Sequence, residues 1–147
     1  MTLAERRELL ALVLDTLVPA SGEFPGAGSV ALDHVLTIAG ASAEIGTLLS
    51  RALGRVEDAA RSSDAGDFAH LDSAGREDVL RRVEASEPGA FEALVRHTYD
   101  GYYSHPQVLT RLGLEPGPLH PRGHRVEAVA LPELARVAAR RSIYRSA

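Results

Sequence analysis

Six histidines and twenty carboxylates are the side chains in this 147-residue sequence that could bind a metal or move a proton. A helix holds a metal with histidines at i and i+4, because that spacing brings both rings over one turn. His97 and His105 are eight apart, with no ligand at the fourth position between them. His120 and His124 have the right spacing, but Pro121 and Gly123 lie between them, so no regular helix presents them. A four-helix di-iron centre needs paired Glu-x-x-His, and no Glu stands three residues before any His. His34 reads as a boundary residue of an amphipathic helix and His70 as part of a connecting turn.

Other chemistries fail on residue type or spacing. The acids fall mostly on polar helix faces or at caps, so no glycosidase-type pair stands out. There is no Gly-x-Ser-x-Gly elbow, and Gly26-Ala27-Gly28 lacks the preceding strand and third glycine of a dinucleotide loop. Cysteine is absent, which removes thiol nucleophiles, disulfides and Cys-based zinc sites. All sixteen basic residues are Arg, so neither a Schiff base nor a P-loop lysine is available. The residues predict no catalytic group, no cofactor site and no metal site in this chain.

The richest stretch runs from Arg96 to Pro106. It holds three of the four tyrosines within five residues, at Tyr99, Tyr102 and Tyr103. Their i, i+3, i+4 spacing predicts one side of a helix. That side is either an aromatic core stripe or an interface anchor, since Tyr joins a large apolar body to a polar tip. The downstream Gly117 to His124 is too rich in proline for a domain interior and suits an extended strap on another protein. The candidate partner-binding set is therefore His97, Tyr99, Tyr102, Tyr103, His105, His120, Pro121, Arg122 and His124.

Helices must position these groups. Thr2 and Glu5 form a capping box for a first helix with Leu10, Val13, Leu14 and Leu17 on one face, stopped by Pro19. Ser29 is expected to cap a second helix that Gly40 ends. Ser42 opens a third, with a stripe through Ile45, Leu48, Leu49, Ala52, Leu53, Val56 and Ala60. Phe68 and Leu71 tuck under a fourth, capped by Asp72 or Ser73 and built on Val79, Leu80 and Val83. Pro88 starts the fifth, carrying Phe91, Leu94, Val95, Thr98, Tyr99 and Tyr102. His105-Pro106 closes that helix or begins a short one ending at Gly113. An irregular Pro/Gly-rich arm over about 114–130 then leads to a last helix over about 132–144. The expected fold is all-α: a single compact domain of five to six helices, with no sheet.

Composition sets the remaining bounds. With 45% hydrophobic residues and 24% charged, the chain suits one soluble domain. No apolar run approaches the ~20 residues of a membrane span. A net charge of −4 argues against nucleic-acid binding. Arg6-Arg7 is a twin arginine, but Glu8 follows at once and the apolar run after it is short, so the segment reads as helix rather than export signal and the expected compartment is the cytoplasm.

The chain resembles the gluconate 2-dehydrogenase subunit 3 family at several points. These are Asp15-Thr16-Leu17-Val18-Pro19, the Phe68-Ala69-x-Leu71 turn, Phe91-x-x-Leu94, and Thr98-Tyr99-x-Gly101-Tyr102-Tyr103-Ser104-x-Pro106. The resemblance implies a small helical non-catalytic subunit. Its partner would be a large flavoprotein of the glucose-methanol-choline (GMC) oxidoreductase class, which holds FAD and the catalytic histidine of a sugar or polyol dehydrogenase. In exported members the small subunit carries a twin-arginine signal. This chain departs from the pattern there and at His105-Pro106-Gln107-Val108, where many members continue with an aromatic residue and a Gly-Gly-Asn turn. Two other readings remain open from the residues: a self-associating helical regulator, and an enzyme using His97 or His105 as general base beside a tyrosine.

Overall fold

The computed structural model describes residues 2–63 and 66–117. Along them run α1 (Arg7–Leu17), α2 (Ala27–Val30), α3 (Leu32–Ala41) and α4 (Ala43–Arg61), then a 3-10 turn over Phe68–His70, α5 (Ser73–Ser86), α6 (Pro88–Ser104) and α7 (Pro106–Arg111). The described residues contain no strand, only a bridge between Ser21 and Phe24. The all-α expectation holds. Among the described residues there are seven α-helices: the expected second helix is broken at Ala31, and His105-Pro106 opens a helix of its own. The arm beyond Gly117, the last helix over about 132–144, and His120, Pro121, Arg122 and His124 lie outside the described residues.

Local caps start most of these helices where the sequence places them. Ser42 Oγ accepts the Ile45 N–H at 3.3 Å, and Asp72 Oδ1 accepts the Gly75 N–H at 2.8 Å. Each satisfies a backbone donor that the helix itself cannot, a gain of about 1 kcal/mol. Pro88 fills the first position of α6, where its missing N–H costs nothing. The Thr2–Glu5 box forms in both directions, at 2.6 and 3.3 Å. It caps a turn, however, and regular helix begins only at Arg7. The Thr2 N–H holds the Glu5 carboxyl below the usual carboxylate range. The twin arginine is structural in this fold: Arg6 pairs with Glu57 of α4 at 3.4 Å, and Arg7 with Asp33 of α3 at 2.7 Å.

Two expected boundaries move. Ser29 does not cap the second helix; its hydroxyl donates to the Gly26 carbonyl at 2.8 Å. The cap comes from α1, where Asp15 Oδ1 accepts the Gly28 N–H at 2.7 Å. Gly26 and Gly28 allow that approach, because a Cβ at either would overlap the Asp15 carboxylate, and at Gly28 the Ala11 carbonyl as well. Nor does Gly40 end α3, which continues to Ala41; extended Ser42 ends it and opens α4 in the same residue.

One hydrophobic core joins the helices. Leu10 and Leu14 of α1, Leu49 and Leu53 of α4, Phe68, Val83 of α5, Leu94 of α6 and Val108 of α7 are all buried. Fully burying each such side chain contributes about 1.5–3 kcal/mol. The contact of α4 with α6 is the most extensive between helices, and α6 also packs on α3 and α5. This central placement of α6 holds the tyrosine stretch.

Candidate docking surface

The inner side of α6 is set by Leu94, Thr98, Gly101 and Tyr102, all buried. Thr98 is a polar residue in an apolar place, and its hydroxyl is satisfied by donating to the Leu94 carbonyl at 2.7 Å. Gly101 lets α6 close on α3: a Cβ there would stand 3.0 Å from the His34 ring and 3.1 Å from Ala31. Tyr102 OH crosses to the loop after α1 and donates to the Pro25 carbonyl at 2.9 Å. Burial pushes the Tyr102 phenol above its ordinary pKa, which keeps it protonated as that donor.

The corner into α7 is equally determined. Ser104 Oγ donates to the Gly101 carbonyl at 3.3 Å. His105 Nδ1 accepts the Gln107 N–H at 3.3 Å, so this histidine serves as the N-cap of α7, with Pro106 in the first turn. From α7, Arg111 reaches Glu23 at 3.0 Å, a second tie to the loop that receives Tyr102. Pro106 and the residues from Thr98 to Ser104 thus have internal structural roles, except Tyr99, Tyr103 and Asp100.

The expected stripe of three tyrosines therefore divides. Tyr102 is 4% exposed, whereas Tyr99 and Tyr103 are 45% and 53% exposed. The division follows from helix geometry: the three residues span an arc of about 100°, and Leu94 and Thr98 turn the Tyr102 edge inward. Tyr103 is braced edge-on against the Tyr102 ring at 5.2 Å and 86°. Tyr99 lies 6.0 Å from Tyr103, tilted by 49°. The exposed pair is thereby held in a defined arrangement before any partner arrives, which lowers the ordering cost of contact.

Sequence reasoning missed one neighbour on the helix and two exposed leucines beyond it. Arg96 is exposed, stands at i, i+3 and i+7 with Tyr99 and Tyr103, and has no ion pair among the described residues. That spacing was the signal that could have found it. Leu112 and Leu114, just past α7, are 46% and 53% exposed. Large apolar groups in water add to the case for contact.

His97 does not join this surface. Lying about 200° around the helix from Tyr99, it belongs to the opposite flank. Its side chain is 14% exposed, and Nδ1 is 3.5 Å from Asp100 Oδ2. It borders an open groove of about 320 Å³ between α4 and α6, with Glu44, Ile45, Leu48, Glu92 and Arg96. A larger open groove, about 840 Å³, runs along the start of α1 past Glu57, Arg61 and Phe68. Among the described residues no three His, Asp or Glu side chains gather as a metal set requires. No described helix is long and apolar enough to cross a membrane.

Residues 4–115 match the protein family described as Gluconate 2-dehydrogenase subunit 3. No curated protein and no solved structure matches the chain. The match covers α1 through α7 and includes the Asp15 cap, the Phe68 turn and the whole tyrosine helix, and its description is that of one subunit among several. This chain belongs to the gluconate 2-dehydrogenase subunit 3 family.

Proposed function

We propose that this chain is the non-catalytic small subunit of an FAD-dependent sugar or polyol dehydrogenase. It binds and stabilises a large flavoprotein of the GMC oxidoreductase class, and the flavin and the catalytic groups belong to that partner. The observation that carries the reading is the exposed, braced pair Tyr99 and Tyr103 on the helix whose inner side is held by Leu94, Thr98, Gly101 and Tyr102. Tyrosine and arginine are the side chains that most often anchor protein contacts. Family membership supplies the kind of assembly. A subunit that binds only the folded flavoprotein stabilises it by mass action, without a group of its own in the reaction.

Co-expression tests the reading. A flavoprotein of the GMC class that co-purifies with this chain is expressed with and without it, and soluble yield, bound FAD and sugar-dependent dye reduction are measured. The large chain is expected to gain several-fold in soluble active protein and to elute with the small chain at one defined stoichiometry. Equal yield and activity without the small chain, and separate elution, would sink the proposal. A homodimer of the small chain that excludes the flavoprotein would favour the self-associating regulator instead.

A further inference from the structure

Among the described residues every arginine except Arg82 and Arg96 has an ion pair or a hydrogen bond inside the chain. Arg82 has no aromatic residue at helical spacing on α5. Arg96 differs, because it stands one and two turns before Tyr99 and Tyr103 on the exposed side of α6. Glu92 and Asp100 lie one turn to either side of it, and neither pairs with it; Asp100 lies instead by His97 Nδ1 at 3.5 Å.

A protein surface that closes over the two rings and the groove that Arg96 lines also strips water from its guanidinium. Arg cannot shed its proton to escape that cost. A buried unpaired charge is strongly disfavoured, so an anion on the incoming surface offsets that cost. The planar fork of Arg is suited to a bidentate carboxylate.

We propose that the large subunit presents an Asp or Glu carboxylate to Arg96, set within an apolar patch that receives Tyr99 and Tyr103. This rests on the docking role given to the same flank. The pairing fixes the register of the contact, while the rings supply most of its apolar burial.

The test titrates the co-purifying flavoprotein with the wild-type chain and with Arg96→Gln, Arg96→Glu and Tyr99→Ala, at about 50 and about 300 mM NaCl. Circular dichroism confirms the fold of each variant. Arg96→Gln is expected to weaken binding about tenfold or more and Arg96→Glu about a hundredfold or more. Arg96→Gln should also lose most of the salt dependence that the wild type shows, whereas Tyr99→Ala weakens binding about equally at both salts. If Tyr99→Ala weakens binding and both Arg96 variants match the wild type, the docking face stands and the carboxylate is refuted. Tighter binding by Arg96→Glu would also refute it, by showing a basic partner surface. If all three variants bind like the wild type, the docking face itself is wrong.

Discussion

Replacing Tyr99 and Tyr103 together by alanine is expected to lower affinity for the flavoprotein at least about a hundredfold, with little change in the fold. Each anchoring tyrosine at an interface contributes about 2 kcal/mol or more on truncation. Two such losses amount to roughly a thousandfold if additive, and neighbouring anchors are seldom fully additive. The fold should survive, because both rings are about half exposed and neither fills the core. Loss of the edge contact from Tyr103 to Tyr102 leaves the Tyr102 bond to Pro25 in place, so the stability change should stay within about 1 kcal/mol. Calorimetric titration and thermal unfolding of the same samples separate the two effects. Unchanged affinity in a folded double variant would remove the docking face.

The second large effect concerns the frame that holds α6. Gly28→Ala is expected to destabilise the chain by about 2–3 kcal/mol, as overpacking against a fixed neighbour does. The added Cβ meets a backbone oxygen, Ala11 O, which no side-chain rotation can move, and it also displaces the Asp15 carboxylate from the start of α2. The damage spreads, because α2 leads through Ala31 directly into α3, and His34 of α3 and Ala31 both meet Gly101 of the tyrosine helix. Gly40→Ala is the control. Its Cβ meets nothing within 4 Å inside a helix, and it should stabilise by about 0.5–1 kcal/mol. Urea midpoints of the two variants should fall on opposite sides of the wild type. A Gly28→Ala protein as stable as the wild type would contradict the non-local cap.

How far the residues predict this fold depends on the reach of each interaction. Ser42, Asp72 and Pro88 act within their own first turn, so their helix starts are legible from spacing alone. The cap of α2 is different: its acceptor lies thirteen positions upstream on another helix, and local reading therefore gave the role to Ser29. Gly40 resembled a terminator, but glycine stops a helix only where the chain turns left-handed, and Gly40 has ordinary helical backbone. The same division applies to the candidate site. Periodicity places the three tyrosines on one side of α6, yet which edge faces inward depends on Leu94, Thr98 and the carbonyl of Pro25 across the fold. His97 is close to the tyrosines in sequence but distant from them around the helix. His105 proved to be a cap.

Hydrogen exchange measured on the small chain alone, and again in its complex with the FAD-containing large subunit, tests the central claim most directly. Slowed exchange on complex formation should concentrate in the second half of α6 and the start of α7, with the groove beside the start of α1 little changed. A complex that leaves α6 unprotected while shielding the α1 groove would contradict the claim.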